Sequence, residues 1–377
     1  MKLRFGMVGG GGGGIGPCHY AGAMMDHKAE LAAGCFSRHE DKNKLYGELW
    51  GVKEPERLYA DYRAMAEGEA ARTDGIDFVS IVTPNDTHYE IAKCFMEHGI
   101  HVMCDKPLAF SLEQGEELAK IAKERGLLFG LTYTYAGYAM VRQARELIER
   151  GELGDLLYVR AQYPQEWLAV ALVAQKSDQS LWRLDPSRTG PSLATADIGT
   201  HCEHLIHAAT GLTPERVLAK FDTYPRDLPL ETNTTILLEY PGGVTGAIWA
   251  SQIAIGHECD VYVAAYGTKG AIEWSHSAPG RLKFTRLNEP TRILTANREC
   301  DYEEANRLCR LPSGHPEGYF EAFGNLYRSF CEHLLAKKAG VQPASYTYPT
   351  VDDGIVGLKF IKACVESNRN GNVWVAL

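Results

Sequence analysis

Apolar residues come in two periods along this chain, and the change from one to the other divides it. Up to about residue 130 short apolar runs alternate with stretches of helical spacing. Leu3–Val8, Glu30–Phe36, Gly75–Thr83, Ile100–Cys104 and Leu127–Leu131 read as strands, the third apolar almost throughout, as in a parallel sheet buried on both faces. Between them lie predicted helices: Pro17–Asp26, one with apolar Ile91, Cys94 and Phe95 ending at His98-Gly99, and one opened by the capping pair Ser111 and Gln114 and closed near Gly126. This alternation predicts a doubly wound parallel sheet over residues 1–130, with its ligand at the carboxyl ends of the strands.

From residue 131 the pattern differs. A helix over Met140–Arg150 and a strand over Leu156–Tyr163 lead into a polar section containing Trp167, Trp182, Arg183 and Arg188. Asp197–Ala209 reads as a helix with one apolar side. Six strands then follow without helices between them: Val217–Asp222, Asn233–Tyr240, Val244–Ile253, Asp260–Tyr266, Ala271–Trp274 and Leu282–Leu287, two joined by a turn at Pro241-Gly242-Gly243. Residues 131–377 are therefore expected to form a second α/β domain on an antiparallel sheet, closed by helices over Tyr319–Ala336 and Val351–Asn368 after a loop-rich stretch Asn288–Gly318.

A length of 377 residues fits two domains. The net charge of −9 and a sequence pI near 5.8 speak against nucleic acid or an anionic membrane as partner and for a small-molecule ligand. Residues 1–10, MKLRFGMVGG, lack the apolar core of a signal peptide, and nowhere do 18 apolar residues run together, so a cytoplasmic protein is expected. The ten cysteines show no C-x-x-C pair and read as reduced.

Chemistry concentrates at the predicted strand ends. Six consecutive glycines, Gly9–Gly14, follow the first strand and open a helix. Unpaired backbone N–H groups and the helix dipole at such a turn make a pyrophosphate cradle. Two registers of G-x-G-x-x-G fit, Gly9-Gly11-Gly14 followed by Ile15, and Gly11-Gly13-Gly16; position after the first strand favours this reading over a flexible linker. At the end of the second strand Ser37-Arg38 offers a hydroxyl and a cation, which suit a 2′-phosphate, although Arg38 could equally stack on adenine or stand in solvent. Thr83-Pro84-Asn85 with His88, and Asp105-Lys106-Pro107, close the third and fourth strands. Lys106 could polarise a carbonyl or steady an alkoxide there, or be an exposed loop lysine.

Asp197 and His201, four residues apart on a helix, could form a carboxylate-oriented imidazole base or a satisfied structural pair. His201, His204 and His207 raise zinc as a candidate, but HCEHLIH is not H-E-x-x-H and no distant cluster supplies further ligands, so no metal is expected. Tyr133, Tyr135, Tyr138, Trp167 and Trp182 could stack on sugar rings or pack in the core.

Taken in order, the glycine turn, Thr83-Pro84-Asn85 with His88, Asp105-Lys106-Pro107, Trp182-Arg183 and the D-I-G-T-H of Asp197–His201 resemble the Gfo/Idh/MocA family over nearly the whole chain. The resemblance implies a Rossmann domain, a C-terminal α/β domain whose open sheet forms a dimer or tetramer interface, and oxidation of a secondary ring hydroxyl on a sugar, anhydrosugar, glycoside or cyclitol. Residue by residue it makes Lys106, Asp197 and His201 catalytic. The cofactor would be bound by Gly9, Gly11, Gly14, Ile15, Ser37, Arg38, Thr83, Asn85, His88, Asp105 and Lys106, and the substrate by Tyr135, Trp182, Arg183 and His201. Asp105 stands where the family pattern has glutamate, and the glycine run is longer than its shortest form. The stretches 182–190 and 314–319 resemble the branch of levoglucosan dehydrogenase and glycoside 3-dehydrogenases, which implies NAD, with NADP as the alternative suggested by Ser37-Arg38. Relatives that use transient NAD oxidation to hydrolyse glycosides, and dinucleotide-binding sensors, are the other functional classes this resemblance admits.

Overall fold

The computed structural model describes residues 2–174, 181–342 and 345–377. The chain forms two compact units: Met1–Gly137 with Tyr319–Ile355, and Tyr138–Gly318 with Val356–Leu377.

The first unit carries a five-stranded parallel sheet in the order β2-β1-β3-β4-β5, with β1 Leu3–Gly9, β2 Ala29–Cys35, β3 Phe78–Val82, β4 His101–Cys104 and β5 Phe129–Leu131. Every residue of β3 is buried, as its unbroken apolar run requires of a central strand covered on both faces. Helices Gly16–Met25, His88–Glu97 and Leu112–Arg125 occupy the crossovers read from the sequence. Ser111 caps the last of these through the Gln114 N–H, and Gly126 ends it in the left-handed region with φ 63°. Two helices, Glu40–Trp50 and Tyr62–Ala70, fill a span that the periodicity left undefined.

Linear order does not give the whole of this unit. The 20-residue helix Tyr319–Lys338, placed by sequence with the second domain, packs on helix Gly16–Met25, where the rings of His19 and Phe323 lie 5.0 Å apart. Its Phe323, Leu326, Tyr327, Phe330 and Leu334 are buried in one cluster with Phe5, Phe78 and Met103. Burying five large apolar side chains there contributes on the order of 10 kcal/mol of transfer free energy, which explains why the helix belongs to this core.

The second unit is built on a nine-stranded sheet in the order β13-β12-β11-β10-β6-β9-β8-β7-β14. Its strands are β6 Leu156–Pro164, β7 Arg216–Asp222, β8 Asn233–Glu239, β9 Thr245–Ser251, β10 Tyr262–Gly267, β11 Gly270–Ser275, β12 Arg281–Arg286, β13 Arg292–Thr295 and β14 Val375–Ala376. All pairings are antiparallel except β6 with β9, which run parallel with Tyr163 opposite Ala250 and Pro164 opposite Ser251. Alternation along β6 and β8 buries Val159, Ala161, Ile236 and Leu238 on one face and leaves Tyr158, Arg160, Thr235 and Leu237 on the other. Helices Ala139–Glu149 and Thr200–Thr210 lie against each other and cover the buried face. The predicted helix at Asp197 begins with a π turn, Thr195–Gly199, before the α-helix from Thr200. Among the described residues no helix is long and apolar enough to cross a membrane.

Candidate active site

In the first unit four sequence-predicted segments meet at the carboxyl edge of the parallel sheet, because parallel strands all end on the same side. Gly10 N–H donates to Val82 O at 2.9 Å and Gly11 N–H to Phe36 O at 3.2 Å, which pins the glycine turn between the ends of β2 and β3. The backbone requires glycine unevenly along the run. At Gly9, with φ 83°, a Cβ would stand 2.3 Å from Val82 O; at Gly11 it would stand 2.7 Å from Phe36 O, and at Gly16 2.2 Å from Gly10 O. Gly13 and Gly14 have nothing within 4 Å of an added Cβ. Close backbone approach thus requires glycine at Gly9, Gly11 and Gly16, and φ values of 81° and 90° require it at Gly10 and Gly12, a pattern that neither short register contains. Ile15 precedes the helix, and its carbonyl accepts the N–H groups of Cys18 and His19. That helix start has no side-chain cap and no acidic residue in its first turn. Together the close backbone approach and the uncapped positive end fit the pyrophosphate of a dinucleotide.

Ser37 and exposed Arg38 follow β2 and line a cavity of about 650 Å³ with Glu40, Asn43, Lys44 and Glu48. The Thr83 hydroxyl accepts from Thr87 Oγ1 at 2.8 Å, and Asn85 opens a short 3₁₀ turn. His88 is fully buried, and its ring nitrogens meet Pro107 O at 2.8 Å and Thr83 O at 2.9 Å. Both contacts are to protein carbonyls, so His88 ties the loops after β3 and β4 together. Asp105 Oδ1 accepts the Lys106 backbone N–H and the Thr132 hydroxyl, each at 2.9 Å. The shorter acid therefore orients the lysine through its main chain. Beneath it, His19 Nδ1 lies 2.8 Å from Tyr327 Oη, which Ser80 Oγ also meets at 2.6 Å. Burial lowers the His19 pKa to about 4, with Asp105 pulling the other way. Tyr135 is buried with its ring 6.3 Å from that of Tyr319.

The second unit gathers the remaining predicted residues. Asp197 lies in the π turn and buried His201 in the first turn of the following α-helix, its ring 6.0 Å from that of Tyr163. The Arg183 Nε is 3.7 Å from Asp197 Oδ2, and the guanidinium carbons of Arg183 and Arg188 sit 4.8 and 5.2 Å from the Trp182 ring centre. Two further residues had no sequence signal. Gln252, fully buried just beyond β9, donates from Nε2 to Asp197 Oδ2 at 2.9 Å. Glu231 takes the Ser192 hydroxyl and the Leu193 and Thr195 N–H groups at the start of the π turn. Trp167, a candidate stacking residue, donates its indole N–H to Gln252 Oε1. Part of the polar section read from sequence, residues 175–180, lies outside the described residues.

Comparison with known proteins bears on both units. Residues 3–133 match the oxidoreductase family with an NAD-binding Rossmann fold, and residues 141–273 match the GFO/IDH/MocA C-terminal domain. The uncharacterized oxidoreductase YfiI of Bacillus subtilis (strain 168) is 36% identical over 379 residues, 99% of this chain and 96% of that protein. The chain belongs to the Gfo/Idh/MocA family of oxidoreductases. An inositol dehydrogenase homolog from Azotobacter vinelandii, crystallised with NAD+, superposes with a TM-score of 0.96 at 35% identity, covering 100% of this chain and 98% of that one. The same homolog with NADH and myo-inositol gives a TM-score of 0.93 at 34% identity, with 100% and 98% covered. Levoglucosan dehydrogenase of Pseudarthrobacter phenanthrenivorans is 27% identical over 233 residues, 55% of this chain and 57% of that enzyme. Family membership confirms the fold class and the NAD-binding character of the Rossmann domain expected from the glycine turn.

Proposed function

We propose that this oxidoreductase is an NAD-dependent dehydrogenase that oxidises a secondary ring hydroxyl of a sugar, anhydrosugar, glycoside or cyclitol. The observation that carries the reading is the half-buried Asp197 carboxylate, set beside Arg183 and Gln252, with a buried imidazole one turn further along the helix. An acid and a histidine held this way suit proton removal from an alcohol. The named ligands of the Azotobacter homolog and the activity of levoglucosan dehydrogenase point to the same substrate class.

Gly9, Gly11 and Gly16 would admit the pyrophosphate, and Ser37, Arg38, Thr83 and Asn85 would line the rest of the dinucleotide. Nicotinamide, when bound, supplies the hydride acceptor. His201 takes the hydroxyl proton, and Asp197 orients the imidazole and stabilises its charged form. Lys106 hydrogen-bonds the reacting oxygen and steadies its negative charge. Trp182 offers an apolar platform and Arg183 hydrogen-bond donors to ring hydroxyls.

The solvent face of the second unit's sheet, with Tyr158 and Leu237 exposed at 38% and 45%, supports a homo-oligomer. The ten cysteines form no disulfide among the described residues, which supports a reducing cytoplasmic setting. The direct test follows absorbance of the reduced cofactor with NAD+ and NADP+ over myo-inositol, levoglucosan, D-xylose and methyl D-xyloside. Turnover with NAD+, reduced by roughly 10² to 10⁴ in both Lys106→Ala and His201→Ala, supports the reading. Near-normal turnover in either variant removes that residue's role, and sugar release without accumulating NADH would make the protein a hydrolase.

A further inference from the structure

The amide of Gln252 is oriented by its surroundings in a way that leaves no choice about what it offers Asp197. Its backbone is stitched in place, the N–H donating to Thr232 O at 2.8 Å and the carbonyl accepting from Leu168 N at 3.2 Å. Its side-chain oxygen accepts from both Trp167 Nε1 and Gln165 Nε2. An indole N–H can only donate, so the amide oxygen must face Trp167 and the amide nitrogen must face the other way. There Nε2 meets Asp197 Oδ2 at 2.9 Å.

Topology brings these residues together. β6 and β9 are the one parallel pair among the described strands of this sheet, so the chain leaving β6 (Gln165, Trp167) and the chain leaving β9 (Gln252) emerge on the same edge. The Gln165 N–H also donates to Ser251 O at 2.8 Å, holding the two exits together. Leu168, Leu193 and Leu230 are buried around them, with Trp167 and Ile253 packed against the cluster.

We propose that Gln252 is a positioning residue for the Asp197–His201 pair: its fixed N–H commits one carboxylate oxygen to the protein and favours the ionised acid, so that the imidazole works against a negative charge. The proposal rests on the dehydrogenase reading of that pair. A donor that cannot accept stabilises a carboxylate over a neutral acid presenting its O–H at the same oxygen. The titratable and charged groups facing the pair are Arg183 on Asp197, Tyr163 on His201 with Cys259 donating to its hydroxyl, and Glu231 at the start of the π turn. Cys202, Glu203 and His204 follow on the same helix. Gln252 is the neutral member of this set that contacts the acid.

Two variants separate positioning from mere packing. Gln252→Glu keeps the acceptor for Trp167 and Gln165 but sets a second carboxylate against Asp197; Gln252→Met keeps the volume and removes the donor. The full chain is labelled with ¹³C-histidine and the His201 resonance, identified by its loss in His201→Asn, is titrated. The kcat/KM profile is followed in parallel with NAD+ and whichever of myo-inositol, levoglucosan and D-xylose turns over fastest. A like charge at this distance should raise the His201 midpoint and the acid limb of the profile by about one pH unit or more in Gln252→Glu. Gln252→Met should lower kcat about 10- to 100-fold, the worth of a hydrogen bond to a charged group, with the KM for NAD+ unchanged.

An unmoved His201 midpoint in Gln252→Glu overturns the proposal, whatever the turnover. A shifted midpoint in a protein that reduces NAD+ with none of these substrates instead keeps the positioning and removes the dehydrogenase reading. Should Gln252→Glu fail to fold, Trp167→Phe frees the amide by deleting one donor and should lower kcat in the same direction by a smaller factor. Unchanged kcat in both Trp167→Phe and Gln252→Met likewise overturns the proposal.

Discussion

Glu231 Oε1 accepts the Thr195 N–H at 3.0 Å, which places a buried carboxylate at the start of the turn that carries Asp197. Its other oxygen takes the Leu193 N–H at 3.2 Å, and Ser192 Oγ donates at 2.5 Å. Burial raises its pKa while these three donors oppose the rise. Glu231→Gln would turn an NH2 group toward one of these N–H donors. We expect a loss of about 1–3 kcal/mol in urea unfolding at neutral pH, and a value within error of the parent would show that the helix start is held by packing alone.

The uneven demand for glycine predicts a contrast within one loop. Gly16→Ala drives a Cβ against the Gly10 carbonyl, whereas Gly14→Ala meets open space. NAD+ binding, followed by quenching of intrinsic fluorescence, should weaken at least about tenfold in Gly16→Ala and remain within about twofold in Gly14→Ala. The reverse order would restore the Gly9-Gly11-Gly14 register.

Acid should destabilise the first unit through a buried imidazole. The His19 pKa is lowered from 6.5 to about 4, chiefly by burial, so the folded state keeps the ring neutral while the unfolded chain takes up a proton. Stability is therefore full above pH 6.5 and is lost as pH falls through 6.5 toward 4, by on the order of 3 kcal/mol. His101, also lowered to about 4 by burial, acts in the same window. The fall in thermal midpoint between pH 8 and pH 5 should be smaller in His19→Gln than in the parent, and equal falls would refute the assignment.

His88 predicts coupling between the loop after β3 and the loop that holds Lys106. His88→Ala removes the contacts to Thr83 O and Pro107 O. We expect kcat to drop about tenfold or more as the lysine loop loosens, alongside a lower thermal midpoint. Unaltered kcat in a destabilised variant would confine His88 to stability.

The open sheet face gives a prediction about assembly. Tyr158→Glu with Leu237→Lys places charge on two exposed positions of β6 and β8 without touching the buried alternate residues. Sedimentation equilibrium should show an oligomer in the parent and a shift to monomer in the double variant. An unchanged mass would move the interface elsewhere.

What could be read from the sequence followed from local rules, and what could not followed from distance along the chain. The Rossmann strands announced themselves because burial on both faces forces unbroken apolar runs such as Phe78–Val82. The glycine turn, Lys106 and the Asp197–His201 spacing were visible because each motif is contiguous. Gln252 was invisible, since its contact spans 55 positions and depends on which strands of a mixed sheet run parallel. The place of Tyr135 was not legible because one aromatic ring serves a core or a sugar equally well, and its burial beside Tyr319 depends on residues far along the chain. Helix Glu40–Trp50 escaped because it is largely polar, with Asn43, Gly47 and Trp50 as its only buried residues.

The helix Tyr319–Lys338 imposes an order of events on synthesis. A ribosome that has released residues 1–137 has delivered all five strands of the first sheet, yet Phe78 and Met103 still lack the rings that cover them. Those rings arrive only after the whole sheet of the second unit up to β13 has been made. The nucleotide-binding half, first to be translated, is thus among the last to be finished, and a chain cut anywhere before residue 319 carries an exposed apolar seam where chaperones would bind.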